Sequence, residues 1–223
     1  MTQEELNAQM IKAADNRDTK TVRKMLEQGA DPNVQNNSGY TALMYVCHDI
    51  RTDTATVRKM LEHGADPNVQ GNYGYTELMY ACQDRRTDTA GLLLEHGADP
   101  NVQDNDGETA LTAACSNPRG NRDVITALIT AGAELDKRNN DSMTALICLA
   151  RGGYTGLMKL LIKAGADANI RDKRDSTAFD MLKEDHPERY DQWIRDTAVK
   201  HRKANLKRED STRTYCCTPD YDI

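Results

Sequence analysis

The side chains best equipped for covalent or metal chemistry in this 223-residue chain are its six cysteines and five histidines. Cys47, Cys82 and Cys115 each close a similar segment, and Cys148 falls two residues earlier in a fourth. Such a column could hold a metal ion or form disulfides. Equivalent residues on neighbouring packed helices lie about 8–10 Å apart. A disulfide needs Cα atoms within about 7 Å, and zinc holds each sulfur at about 2.3 Å. The column therefore reads as small apolar filling between helices. Cys216-Cys217 is a vicinal pair in a polar tail with no neighbour that would lower its pKa, and it reads as incidental. His63 and His96 each precede a Gly-Ala step, where a cationic ring suits a solvated helix C-terminus.

Other chemistry fails on spacing. The chain contains no His-Glu-x-x-His, Cys-x-x-Cys or Gly-x-Ser-x-Gly. Arg151-Gly152-Gly153-Tyr154-Thr155-Gly156 is glycine-rich, but it follows a helical pattern and lacks the Lys-Ser/Thr of a phosphate loop, so it reads as an inter-helix turn. Arg51-Thr52-Asp53-Thr54-Ala55 and Arg86-Thr87-Asp88-Thr89-Ala90 read as helix caps. The basic run Lys200 to Arg208 reads as a solvated helix end, and Tyr221-Asp222-Ile223 fits a carboxylate-binding groove only loosely. No catalytic residue, cofactor or metal is assigned, and the expectation is a protein that is not an enzyme.

What positions all of these residues is a repeat. Gly29-Ala30-Asp31-Pro32-Asn33-Val34-Gln35 returns unchanged at Gly64 to Gln70 and at Gly97 to Gln103. Degenerate copies follow at Gly132-Ala133-Glu134 and Gly165-Ala166-Asp167, giving intervals of 35, 33, 35 and 33 residues. A period of that size marks a solenoid, in which each unit buries its apolar face only against its neighbours. After each stamp comes a polar stretch such as Gln35-Asn36-Asn37-Ser38-Gly39-Tyr40, whose residues favour a projecting turn. Thr41-Ala42-Leu43-Met44-Tyr45-Val46-Cys47 follows, and its threonine can cap a short helix. A second helix runs through Val57-Arg58-Lys59-Met60-Leu61-Glu62 and ends at Gly64, a natural left-handed C′ residue.

Loop, Thr-x-Leu helix, polar junction, Leu-Leu helix and Gly-Ala-Asp together resemble the ankyrin repeat over about residues 6–195. The resemblance implies an all-α ankyrin-repeat solenoid of stacked helix-turn-helix units with projecting β-turn loops. The expected organisation is an N-terminal capping helix pair over 1–35, four full repeats over 36–172, a C-terminal capping repeat over 173–198 and a basic, then disordered tail over 199–223. The family's Thr-Pro-Leu-His is here Thr-Ala-Leu-Met, Thr-Glu-Leu-Met, Thr-Ala-Leu-Thr, Thr-Ala-Leu-Ile and Thr-Ala-Phe-Asp. Losing the histidine's hydrogen bonds should lower per-repeat stability without changing the fold. Spacing from each cysteine to the next glycine puts two-residue insertions between the helices of the first and third full repeats, the second through Asn117-Pro118-Arg119-Gly120. Tyr190, Trp193 and Ile194 share a helical face that can cover the last repeat.

Composition agrees with a stack. One Phe and one Trp are too few for a large globular core, and thin layers of Leu, Met, Ala and Cys suit short helices. Residues 1–194 carry 22 basic and 30 acidic groups, an array near −8 that disfavours phosphate backbones, so nucleic acid is not an expected partner. No run approaches the roughly 20 apolar residues that span a bilayer. Met1 to Asp15 lacks the apolar stretch of a signal peptide, and six cysteines then read as reduced thiols in a cytoplasm. Export by a route without such a signal is the alternative.

What is left to carry function is surface. In the ankyrin family, partners are usually held by the loop tips and the first-helix side of the concave face. Carried over by position, the loop tips are Ser38, Tyr40, Tyr73, Tyr75, Asp106, Glu108, Asp141 and Met143, and the first helices close at His48, Asp49, Gln83, Asp84, Ser116, Asn117 and Arg151. The tyrosines offer large contact area at low rotamer cost. Acidic residues follow toward the middle, and Arg171, Lys173 and Arg174 occupy the last loop. The reading is a non-catalytic adaptor, inhibitor or scaffold, monomeric by itself, that binds a protein partner. The alternative is a regulatory subunit or enzyme-associated protein whose activity lies in the tail or a partner chain.

Overall fold

A threonine starts the first helix of each of the five pairs that follow the N-terminal one. Thr76, Thr144 and Thr177 are extended N-cap residues whose hydroxyls accept the backbone N–H three residues on. Thr41 and Thr109 do the same for Met44 and Thr112. Each bond satisfies one of the N–H groups that a helix start leaves without a partner. The computed structural model describes residues 1–48, 54–116 and 122–196. These hold the pairs α1 Gln3–Asp15 with α2 Thr19–Glu27, α3 Ala42–His48 with α4 Thr54–Glu62, and α5 Glu77–Gln83 with α6 Thr87–Glu95. Then come α7 Ala110–Ser116 with α8 Arg122–Thr130, α9 Ala145–Arg151 with α10 Thr155–Ala164, and α11 Ala178–Asp185 followed by a last helix, α12, over 187–196. Residues 49–53 and 117–121, between the helices where the insertions are expected, and the expected tail over 199–223 lie outside the described residues.

First helices pack on first helices, from α1 through α3, α5, α7 and α9 to α11, and α2, α4, α6 and α8 form a second layer. Among the described residues the only β pairing is an isolated antiparallel bridge between Arg171 and Thr177. The all-α solenoid expected from the repeat period is what forms. Its core is a thin, continuous sheet of side chains, with Met10, Leu43, Met60, Leu78, Leu93, Leu111, Ile125 and Leu146 fully buried. Where the family carries histidine, Met44, Met79 and Ile147 are buried instead. Thr112 folds back to cap its own turn through the Thr109 N–H at 2.6 Å, and Asp180 closes a capping box with Thr177.

The stamp recurs unchanged because its polar residues bond to the next copy. Asn33 donates Nδ2–H to the Gly64 carbonyl at 2.9 Å and accepts the Asp66 N–H at 2.7 Å. Asn68 makes the same pair with Gly97 and Asp99, and Asn101 with Gly132 and Glu134. Gln35, Gln70 and Gln103 form a parallel ladder, each donating to the backbone carbonyl at 70, 103 and 138 in turn. At the N-terminal end Gln3 and Asn7 supply these bonds to Gly29 and Asp31, closing the series. At the fourth copy Asp136 accepts the Asp167 N–H but has no N–H for the Gly165 carbonyl. Asp136→Asn restores that donor and is expected to raise stability by about 0.5–1 kcal/mol, read by urea denaturation. In the first three loops the left-handed position is a glycine crowded by the next loop: at Gly74, φ is +79° and a Cβ would stand 2.7 Å from the Asn105 nitrogen, whereas Ser142 and Asp175 take this conformation in the last two.

Two local expectations change. Arg86, not Thr87 or Asp88, is the N-cap residue of α6 and makes no side-chain cap; its guanidinium instead donates to the Cys47 carbonyl at the end of α3. Thr87 and Asp88 lie in the first turn, while Thr52 and Asp53 are outside the described residues. At the far end Trp193 packs edge-on against Phe179, with Lys159 4.9 Å above its ring, and Tyr190 joins the core; Ile194 does not, being half exposed.

Candidate functional site

The loops and first helices face one another, and hollows open between them. A polar one, about 560 Å³, lies between the second and fourth loops and is lined by Tyr75, Gln83, Asp106, Glu108, Ala113, Ser116, Asn139, Asn140 and Asp141. Six positions expected to touch a partner converge there: Tyr75, Gln83, Asp106, Glu108, Ser116 and Asp141. The loop is held in shape by Asp104, whose Oδ1 accepts the N–H groups of Asp106 and Glu108 at 2.9 and 2.8 Å. Asn36, Asn139 and Asp172 repeat this turn in their own loops, with Gly71 standing at the position in the second. Adjacent loops are tied by the Asn105 N–H to the Tyr73 carbonyl and the Asn140 N–H to the Asp106 carbonyl. The groove wall is thus a laddered, ordered surface.

The remaining positions are dispersed. Tyr40 and His48 line a smaller cleft of about 300 Å³ with Asp15, Arg17 and Tyr45. Ser38 borders a hollow against α1, near Ile11, Val34 and Tyr45. Tyr73 projects freely, 70% exposed. Asp84 caps the end of α5 in solvent. Met143 is half-buried beside Arg151, whose guanidinium reaches its sulfur at 3.9 Å. Asp141 pairs with Lys173 at 3.3 Å. Asp49 and Asn117 lie outside the described residues.

The tyrosines require a correction. Tyr40 and Tyr75 are not free tips but half-buried members of a ring cluster with Tyr45 and Tyr80 of the first helices. Tyr75 stacks on Tyr80 at 5.2 Å, Tyr40 meets Tyr45 at 5.4 Å, and the Tyr40 and Tyr80 hydroxyls are 3.0 Å apart. His48 adds its edge to Tyr80 at 5.5 Å. Tyr45 and Tyr80 went unread in the sequence because they sit inside apolar helix segments. Their shared register, four residues after the capping threonine, was the signal that could have found them. Asp104, Asn139 and Asn140 were missed for a related reason, since loop-to-loop bonding is invisible in a single copy.

The chemistry available is recognition. Burial pushes the Tyr75 phenol above its ordinary value, helped by the charges of Asp104, Glu108 and Asp106, so it stays a neutral hydrogen-bonding group. Burial also pushes Cys82 and Cys148 up to about 12, and raises Cys47 and Cys115 as well. These four thiols are protonated at neutral pH and suited to packing rather than nucleophilic attack.

Stacked helix pairs, threonine caps, left-handed glycines and laddered loops define a repeat protein that presents a loop-and-first-helix face. The family model for ankyrin repeats, an array of three copies, matches residues 10–104 and again 93–172. The chain belongs to the ankyrin-repeat family. Among solved structures it is similar to EF0377, described as an ankyrin repeat protein, with a TM-score of 0.74 and 28% identity over 83% of this chain and 95% of that one. A search of curated protein sequences returns no match. Ankyrin repeats are in general protein–protein interaction modules and generally non-catalytic.

Proposed function

We propose that this chain is a non-catalytic adaptor, inhibitor or scaffold that holds one partner protein across its loop-and-first-helix face. The observation that carries the reading is the convergence of Tyr75, Gln83, Asp106, Glu108, Ser116 and Asp141 on one groove beside the tyrosine cluster. Aromatic area next to acidic rims supplies both an anchor and orientation. The molecule acts as a monomer in a reducing compartment such as the cytoplasm, a placement supported by four buried free thiols.

The test uses residues that touch the groove or project from it without supporting the ring cluster. Tyr73→Ala, Gln83→Ala and Asp106→Ala combined are expected to lower partner affinity by about tenfold or more, because interface anchors each contribute on the order of 1 kcal/mol. The thermal midpoint should stay within about 2 °C of the parent, since all three side chains are exposed. Isothermal titration with the purified partner reads the first and calorimetry the second. Undiminished affinity in the triple variant removes this face from the interaction.

A further inference from the structure

Two carboxylates beside the groove hold enclosed oxygens that are short of donors. Asp104 is 7% exposed; its Oδ1 takes two N–H groups, and its enclosed carboxylate has the Tyr75 phenol as its one further donor. Glu108 accepts Asn139 Nδ2–H at 2.6 Å on Oε1, and its Oε2 is enclosed and unpaired. The Tyr75 phenol bonds to the Asp104 carboxylate, so its single O–H leaves Glu108 Oε2 as the acceptor without a donor. A buried acceptor left without a donor is costly, and more so when charged. Asp106 adds negative charge at the rim, where Asp141 is paired with Lys173.

We propose that this groove receives a guanidinium, the arginine side chain of the partner protein, and the proposal rests on the reading that this face holds such a partner. A guanidinium brings five coplanar N–H donors, sheds water more readily than an ammonium, and lies flat on aromatic rings. One face of Tyr75 is taken by Tyr80, and the residue also lines the groove. Rotation of the Glu108 carboxylate about its terminal bond, a soft torsion, exchanges its Asn139 bond for the fork, and Asp106 takes the outer edge. A divalent metal fits less well, because among the described residues no three ligating side chains converge. Lysine lacks the planar fork.

Backbone-amide NMR titration of the full chain with N-acetylarginine methylamide, and with its lysine and leucine counterparts, tests the assignment. The arginine compound is expected to give saturable shifts at Asp106, Glu108, Ser116 and Asn139, with dissociation constants of roughly 1–10 mM. Lysine should bind at least about threefold more weakly, and leucine should give no saturable shift. Glu108→Gln, which keeps the acceptor for Asn139, should weaken arginine binding by about fivefold or more. Asp106→Asn, an exposed change that leaves the loop intact, should weaken it about twofold. Equal responses to arginine and leucine, lysine binding as tightly as arginine, or unchanged affinity in both variants each overturn the assignment. Failure here leaves the broader reading standing, because the triple-alanine experiment measures partner affinity directly.

Discussion

Glu77→Ala is expected to raise the thermal midpoint by several degrees near neutral pH, making it a stabilising loss of a charged residue. The first helices α3, α7, α9 and α11 carry Ala42, Ala110, Ala145 and Ala178 at this position, all buried. Glu77 is 0% exposed, with Oε1 taking a 3.3 Å bond from the Thr41 hydroxyl and Oε2 unpaired. Burial lifts its carboxyl from an ordinary 4.5 to about 8, a shift eased by hydrogen bonds from its own backbone and Thr41 and reinforced by Asp66. The folded-state pKa lies above the unfolded one, so the folded state holds its proton while the unfolded chain ionises. The resulting penalty is absent below pH 4.5, grows as pH rises through the interval to about 8, and is constant above it. At pH 7 it is on the order of 3 kcal/mol, reduced in the variant by about 1 kcal/mol for the space alanine leaves. A net gain of about 2 kcal/mol corresponds to roughly 4–8 °C for an array of this size. Glu77→Gln, which keeps the shape and cannot ionise, should show the same widening gap. Melting curves at pH 5 and pH 8 check it; a gap that does not grow with pH contradicts the assignment.

Tyr80→Ala is expected to cost about 2–3 kcal/mol and to weaken partner binding as well. Tyr80 joins the ring cluster from within α5: it stacks on Tyr75, lies 6.5 Å from Tyr40, shares a hydroxyl bond with it, and takes the edge of His48. Its phenol is pushed upward by burial first and by the Tyr40 hydroxyl second. Deleting the ring leaves Tyr75 without the face that holds it against the groove. Tyr80→Phe loses only the hydroxyl bond and should cost about 1 kcal/mol. Urea denaturation of the two variants separates stacking from hydrogen bonding. Equal costs would mean that the ring contacts contribute nothing beyond the O–H.

The repeat, its helices and its glycine stops were legible because each is written locally and five times over. Threonine precedes every first helix from Thr41 to Thr177, and the left-handed φ at Gly29, Gly64, Gly97, Gly132 and Gly165 falls on the stamp's first residue. The groove was half legible. Position within the repeat identified Tyr75, Asp106 and Glu108, but their geometry depends on Asp104 below and on Asn139 in the next loop. Glu77 stood out in Thr-Glu-Leu-Met as a departure from alanine, yet its burial is set by neighbouring repeats and not by its own helix. The bonds from Asn33, Asn68 and Asn101 explain in retrospect why the stamp is repeated verbatim, whereas the sequence alone left that identity without a physical cause.

Hydrogen–deuterium exchange of the chain with and without its bound partner tests most directly that function resides on the loop-and-first-helix face. Protection is expected to concentrate in the second to fourth loops around Tyr73, Asp106 and Asn140 and at the ends of α5 and α7. The outer helices α4, α6 and α8 should exchange as they do in the free protein. Protection centred on those outer helices, with the loops unchanged, would contradict the account.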